Sequence, residues 1–397
     1  MKYIIIGNGV AGTTAAANIR KVDHEGEIII VSDEAYPFYS RIRLIDYLAG
    51  ETDEKGLVIY KDAWYEKNNI KLLLNTPVSE IDKDLKEIAI PSGQRLKYDK
   101  LLIATGGVSF IPPLPGSDKK GIFTLRTIKD AGGIKNYTEQ AKKVILIGGG
   151  ILGIEVGNSL RKVGCSVSII EFFPRLLPRQ MDKEGSEILT SQLVGMGFKF
   201  YLGAQTKEIS GDDTVKSVRL EDGTIIDCNT VIISAGVRPN AELIYKLGIK
   251  CNKGLPVNDR METEVPDIYA AGDLIEHRNL YYGIWPAAEK QGEVAGINMA
   301  GGSAGYEGTT PSNALKIAGI DLIAAGDIDA DGKLESIIQK DKEKFLYKKL
   351  VIKNNIIAGC ILYGDISGWK KIKKAIDEKK DITSIKNNLK KWDLEVL

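Results

Sequence analysis

Histidine and cysteine are scarce in this chain: 397 residues hold two histidines, His24 and His277, and four cysteines, Cys165, Cys228, Cys251 and Cys360. No two of the cysteines are spaced as a CxxC or CxxxxC pair or as a metal knuckle, which argues against a sequence-adjacent dithiol and a Cys-based metal site. Two histidines leave little material for a zinc site or a Ser-His-Asp triad, so no metal and no hydrolytic chemistry are expected. The thiols read as buried residues of a reducing compartment. A surplus of charge of one sign is also missing. The formal net charge is +1, which gives no global field for nucleic acid or a membrane surface. The opening run Met1-Lys-Tyr-Ile-Ile-Ile-Gly7 is too brief for a signal sequence and far too brief for a membrane span. A cytoplasmic location is expected, without a membrane or nucleic-acid partner, and the oligomeric state stays open.

The composition, 43% hydrophobic and 27% charged, is that of a globular chain able to bury a core. At this length one core is not enough, and two or three domains are expected.

Glycine is plentiful, and its placement is informative. An apolar strand, Tyr3-Ile-Ile-Ile, runs into Gly7-Asn-Gly9-Val10-Ala11-Gly12 and then a small-residue helix. This is GxGxxG in the strand-turn-helix context that dinucleotide binding requires. Gly7 makes the tight turn, Gly9 lets backbone approach a pyrophosphate, and Gly12 lets helix and strand pack closely. The helix N-terminus at Val10 and Ala11 then points free N–H groups at the phosphates. A second strand, Ile28-Ile-Ile-Val31, ends in Ser32-Asp33-Glu34, which puts carboxylates where a ribose hydroxyl is bound.

The pattern recurs at Lys143-Val-Ile-Leu-Ile-Gly148-Gly-Gly150-Ile151-Leu152-Gly153, with a strand Ser166–Ile170 leading to Glu171. One such motif alone is weak evidence. Two copies, each with its strand, helix and terminal acid, point to two adenine dinucleotide sites. A carboxylate at Glu171 bonds a 2'-hydroxyl and repels a 2'-phosphate, so NADH is expected in the second site. Arg175 and Arg179 follow closely and keep NADPH open.

Three further strands end in small-residue turns: Leu101-Leu-Ile-Ala-Thr105-Gly106, Val231-Ile-Ile-Ser-Ala-Gly236 and Asp267-Ile-Tyr-Ala-Ala-Gly272-Asp273. With these the chain resembles the FAD-dependent pyridine nucleotide oxidoreductases built like glutathione reductase, over about the first 310 residues. Four stretches narrow the resemblance: Tyr39-Ser-Arg41-Ile-Arg-Leu44, Glu171-Phe-Phe-Pro-Arg-Leu-Leu-Pro-Arg-Gln180, Val265–Asp273 and Trp285-Pro-Ala287-Ala288-Glu-Lys-Gln291. They are similar to NADH:rubredoxin reductases and the flavin part of NADH-dependent nitrite reductases. The resemblance implies FAD in the first cradle and NADH in the second. It also implies Arg41 on the FAD pyrophosphate, Asp273 on its ribityl or pyrophosphate part, and the turn from Trp285 to Ala288 at the isoalloxazine ring. Glu155, in the first turn of the second nucleotide helix, is implied near the nicotinamide and flavin edge; an acid there is also favoured by the helix end alone. Where relatives often carry a lysine shortly after the arginine, this chain has Asp46.

Disulfide-reducing members of that group carry two cysteines near the flavin, and the peroxidases and water-forming oxidases carry one. The segment Tyr36-Pro-Phe-Tyr-Ser-Arg41 has none, so electrons are expected to leave the flavin without a thiol relay. The expected acceptor is a small acidic electron-transfer protein, rubredoxin or ferredoxin. The alternatives are a flavin subunit of a nitrite reductase, a direct NADH oxidase and, in a different class, a flavin redox sensor that does not turn over.

The resulting expectation is an α/β chain with two Rossmann-like, glutathione reductase-type dinucleotide-binding domains and a small C-terminal α+β domain. The FAD domain is discontinuous, 1–108 and 237–308; the NAD domain spans 109–236 and the cap 309–397, its new region opening after Pro311. In the cap, Tyr347–Ile352, an Asn354-Asn355 turn and Ile356–Leu362 read as a β-hairpin. From Asp331 to Leu397 there are 16 lysines and no arginine against 10 acids, a local net of +6.

Overall fold

The strand Lys2–Ile6 is apolar at successive positions because both of its faces are buried, as the centre of a parallel sheet demands. The computed structural model describes all residues except 92, 310 and 311, and for 312–315 and 317 the backbone alone. The boundary expected at Pro311 therefore lies outside the described residues. Strand Lys2–Ile6 pairs on one side with Glu27–Val31 and on the other with Lys100–Ile103. Ile70–Leu73 and Ile268–Ala270 complete a five-stranded sheet that is parallel throughout. Between Glu27–Val31 and Lys100–Ile103 the chain also makes a three-stranded antiparallel sheet from Glu80–Asp82, Glu87–Ala89 and Arg95–Lys97.

The second cradle repeats this plan, except that its edge strand beside the return strand comes before the cradle in the chain and not after it. Lys143–Ile147 is central, flanked by Ser166–Glu171 and Thr230–Ile233, with Lys199–Leu202 and Ile122–Phe123 at the edges of another five-stranded parallel sheet. A three-stranded antiparallel sheet, Thr206–Gly211, Val215–Leu220 and Ile225–Asp227, again precedes the return strand. The internal duplication thus extends from the glycine turn to the whole fold of each half.

The C-terminal region is a five-stranded antiparallel sheet, in the order Ser312–Ile317, Ile320–Gly326, Ile356–Tyr363, Leu346–Lys353 and Glu335–Asp341, with the helices Trp369–Asp377 and Lys386–Leu389. The expected hairpin is present. Leu346–Lys353 and Ile356–Tyr363 are joined by Asn354 and Asn355, both left-handed at φ 51° and 57°, as a two-residue hairpin turn that follows the sheet twist requires.

By internal contacts the chain divides into two compact units: Met1–Leu44, Thr52–Phe110 and Gly236–Thr309 form one, and Ile45–Glu51, Ile111–Ala235 and Thr310–Leu397 the other. Two of the crossings of this boundary, after Phe110 and after Ala235, lie beside a two-stranded antiparallel ribbon, Gly107–Ser109 against Val237–Pro239. Among the described residues no helix is long and apolar enough to cross a membrane.

Candidate nucleotide sites

Strand, turn and helix fix the first glycine cluster. Gly7 sits at φ +113°, and a Cβ there would lie 2.2 Å from the Ala104 carbonyl oxygen, so only glycine lets the turn pass the neighbouring strand end. A Cβ on Gly12 would meet the Gly7 oxygen at 2.0 Å, which enforces close helix-to-turn packing. Gly9 differs: a Cβ there would meet no atom within 4 Å. It is also the N-cap of Val10–Val22 with φ −92°, a conformation open to any residue. Neither backbone strain nor protein packing requires glycine at Gly9, which leaves the approach of a ligand as the physical reason for it.

The second cluster reproduces all three relations. Gly148 has φ +116° and its Cβ would lie 2.3 Å from the Ser234 oxygen; a Cβ on Gly153 would meet the Gly148 oxygen at 2.1 Å. Gly150, the N-cap of Ile151–Lys162, is again open on all sides.

Around the first turn the fold collects most of the residues expected to bind FAD. Gly272, at φ +86°, would place a Cβ 3.2 Å from that of Ala11 and 3.9 Å from that of Ala288. The helix Trp285–Met299 reaches this place because Gly292 and Gly296 lack side chains: a Cβ on either would stand 2.4 Å from a backbone oxygen of Ala11 or Ala15. Its N-terminus, with Pro286 in the first turn, starts at Trp285, and Ala287 and Ala288 are buried. The Gly272 N–H donates to Gln291 Oε1 at 2.9 Å. Thr105 follows Ala104 at the end of the strand that abuts Gly7 and donates its hydroxyl to the Asn240 carbonyl at 2.9 Å; Gly106 beside it is left-handed at φ +67°. Asn8, inside the turn, accepts from the Tyr65 hydroxyl at 2.9 Å, while its Nδ2 is buried without a partner among the described residues. An unused buried donor between Gly7 and Gly9 fits a phosphate or hydroxyl acceptor there.

The acids behave differently in the two copies. Gly7 N–H donates to the Val31 oxygen and Gly148 N–H to the Ile170 oxygen, so Ser32, not Asp33 or Glu34, occupies the place of Glu171. Asp33 is exposed. Glu34 is engaged by Arg41 and by the Tyr39 hydroxyl, each at 2.5 Å, so the expected pyrophosphate ligand Arg41 here joins an acid. Glu171 is buried and accepts from Gly149 N–H at 2.6 Å and Phe173 N–H at 2.8 Å. Each carboxylate oxygen has a second lone pair for a ribose hydroxyl. Gly236, expected beside the nicotinamide coenzyme, is left-handed at φ +102° and would carry a Cβ into open space.

Glu155 lies in the helix that begins at Ile151 and Leu152, and its Oε1 accepts from Ala318 N–H at 2.6 Å. Burial pushes its carboxyl above the usual carboxylate range, against the pull of that N–H. Asp273 carries polar interactions of its own.

Sequence reasoning passed over several buried polar groups. His277 Nε2 lies 2.8 Å from Asp259 Oδ1 and its Nδ1 is buried without a partner among the described residues. Arg278 and then His277 hold the Asp259 carboxyl down at about 2. Only the two-histidine composition pointed there. The four thiols all sit above their ordinary range because burial disfavours the thiolate, Cys228 and Cys360 at about 12. Among the described residues no group of three or more His, Cys, Asp and Glu is placed to hold a metal ion.

Comparison with known proteins bears on this geometry. The sequence model of the family described as pyridine nucleotide-disulphide oxidoreductase matches residues 1–292. A second, described as the rubredoxin NAD+ reductase C-terminal domain, matches residues 311–380. The chain is 38% identical over 384 residues to the nitrite reductase [NAD(P)H] of Bacillus subtilis, an alignment covering 96% of this chain and 48% of that protein. It therefore spans about half the length of that relative. It is 36% identical over 389 residues to the NADH-rubredoxin oxidoreductase of Clostridium acetobutylicum, covering 97% of this chain and 96% of the relative. The crystal structure of NADH:rubredoxin oxidoreductase from Clostridium acetobutylicum superposes with a TM-score of 0.82 at 35% identity, covering 97% of each chain.

Proposed function

Matched by its sequence model over residues 1–292, the chain belongs to the pyridine nucleotide-disulphide oxidoreductase family, and from there we propose that it passes electrons from NADH through FAD to a small iron-containing carrier protein. Its cofactors are FAD and NAD(P)H. When bound, FAD supplies the redox chemistry, accepting electrons in pairs and releasing them singly. The observation that carries the reading is the duplicated glycine turn, in which Gly9 and Gly150 alone have no steric reason within the protein to be glycine.

In this reading the FAD domain is 1–108 with 237–308, the NAD domain 109–236 and the cap 309–397. Gly7, Gly9 and Gly12, the N–H groups at Val10 and Ala11, and Asn8 hold FAD at one end. Thr105, Gly106, Gly272, Asp273 and the turn at Trp285, Ala287 and Ala288 hold it along its length, with Asp33, Glu34 and Arg41 at the rim. Gly148, Gly150, Gly153, Ile151, Leu152, Glu171 and Gly236 hold the nicotinamide coenzyme. The buried, protonated thiols offer no relay, so electrons leave the flavin directly. The similarity to an NADH-rubredoxin oxidoreductase and to a rubredoxin NAD+ reductase C-terminal domain favours rubredoxin as the carrier, and the lysine surplus of the cap favours an acidic one.

Rapid anaerobic mixing with NADH tests the first half: the flavin should bleach, and an unreduced flavin would indicate a sensor. Steady-state rates with rubredoxin, ferredoxin and oxygen test the second; oxygen as the fastest acceptor would make the protein an NADH oxidase. The extended match to a nitrite reductase supports a second reading, in which a partner chain holds the iron centres.

A further inference from the structure

Between Glu171 and Asp182 the chain forms a loop that is fixed at both ends by different parts of the second unit. At its start Glu171 takes the Gly149 N–H, and Leu176 and Leu177, fully buried, pack under the glycine turn; a Cβ on Gly149 would meet Leu176 Cδ2 at 2.8 Å. Leu177 is left-handed at φ +50°, and its carbonyl accepts from Gln180 and Met181 N–H at 2.9 Å each. Ser186 Oγ donates to the Leu176 carbonyl at 2.9 Å. The loop also carries Arg175, whose Nε is buried without a partner among the described residues.

At its end Asp182 caps the helix Lys183–Gly195, with Oδ1 accepting from Gly185 N–H at 3.0 Å. Its other oxygen is held by the C-terminal sheet: Oδ2 accepts from the Tyr347 hydroxyl at 2.6 Å and from Lys349 Nζ at 2.9 Å. All three residues are buried. Lys349 is itself fixed, since its ammonium also donates to the Asp329 carbonyl at 3.0 Å. A buried ion pair with a further hydrogen bond on each partner holds one geometry, because any other leaves a charge unpaired.

We infer that Tyr347 and Lys349 are positioning residues for the pyridine nucleotide, acting through Asp182: the C-terminal sheet holds the loop that joins the Glu171 carboxylate and Arg175 in the shape that receives the coenzyme. The inference rests on the second cradle being the NADH site. The cap would then serve the electron donor as well as the acceptor.

The test compares NAD+ binding to the oxidised holoenzyme by calorimetry in wild type, Tyr347→Phe, Lys349→Met and Lys348→Met. Lys348 stands next to Lys349 but pairs with Asp365, away from the loop, and serves as the control. Tyr347→Phe removes one hydroxyl and should weaken NAD+ by about fivefold, the scale of one hydrogen bond. Its KM for NADH should rise by a similar factor with kcat retained. Lys349→Met should weaken binding further, and Lys348→Met should bind as wild type. If Lys349→Met fails to fold, Tyr347→Phe alone decides. Wild-type affinity in Tyr347→Phe, or an equal loss in Lys348→Met, overturns the inference. Failure of the wild type itself to bind NAD+ would instead overturn the assignment of the second cradle.

Discussion

The N–H of Ala318 donates to the Glu155 carboxylate at 2.6 Å, tying the turn between the first two strands of the C-terminal sheet to the second nucleotide helix. Because burial raises the Glu155 pKa, ionising this group costs the fold. The stability it contributes is present while it is protonated and is lost as pH rises through its folded value. Glu155→Gln keeps an acceptor for Ala318 and removes the charge. Denaturant unfolding should find the variant equal to wild type in acid and gaining on it toward neutrality. Parallel stability curves across that range would show that Glu155 titrates normally.

Gly9→Val and Gly150→Val should both fold, because each Cβ enters open space and each backbone is at negative φ. Their lesions should therefore be in the ligands. Gly9→Val is expected to purify without flavin. Gly150→Val should stay yellow and be reduced by NADH at least about tenfold more slowly, for a loss near 1.4 kcal/mol. Flavin absorbance and rapid-mixing rates check both, and the opposite pattern would show that the two cradles have been exchanged.

Glu171→Gln preserves an acceptor oxygen for Gly149 N–H while removing the charge that would repel a 2'-phosphate. The ratio of kcat/KM for NADH to that for NADPH should fall by about tenfold. An unchanged ratio would move coenzyme selection elsewhere in the loop.

The lysine-rich helix Trp369–Asp377 gives a prediction about the acceptor. Lys371 pairs with Glu395, Lys373 with Asp377 and Lys374, at 3.9 Å, with Glu378. Such exposed pairs add little stability, so changing Lys370, Lys371, Lys373 and Lys374 to glutamine should leave the fold intact while exposing the acids. For an acidic carrier kcat/KM at low salt should drop by about tenfold and its salt dependence should flatten. Reduction of the flavin by NADH should keep its rate. A variant that reduces the carrier at the wild-type rate would make this face ordinary surface.

Both glycine cradles were legible because each is written within one strand, turn and helix, and the Asn354-Asn355 hairpin because its turn chemistry is local. What escaped depended on partners distant in sequence. Counting from Gly12 pointed to Asp33 and Glu34, but the longer first helix and its following loop shift the register so that Ser32 matches Glu171. Lys348 and Lys349 read only as part of the hairpin strand Tyr347–Ile352 and of the local lysine surplus. They are buried on an apolar sheet because Asp365 and Asp182 meet them there, and nothing in the spacing of residues 182 and 349 announces that encounter. Glu155 was read from the family resemblance and from its place in the first helical turn, neither of which could include Ala318.

The ribbon formed by Gly107–Ser109 and Val237–Pro239 has a consequence for how such a chain can be assembled. The Phe110 N–H donates to the Gly236 carbonyl at 2.9 Å, so the stretch from 111 to 235 departs and returns within a single hydrogen bond. To the host sheet that long stretch is equivalent to a tight hairpin, and its length adds little to the entropy of closing the ends. The middle of the chain can therefore vary in length without re-registering the two strands of the ribbon that bracket it, while Asp182 and Glu155 bind it to the C-terminal sheet.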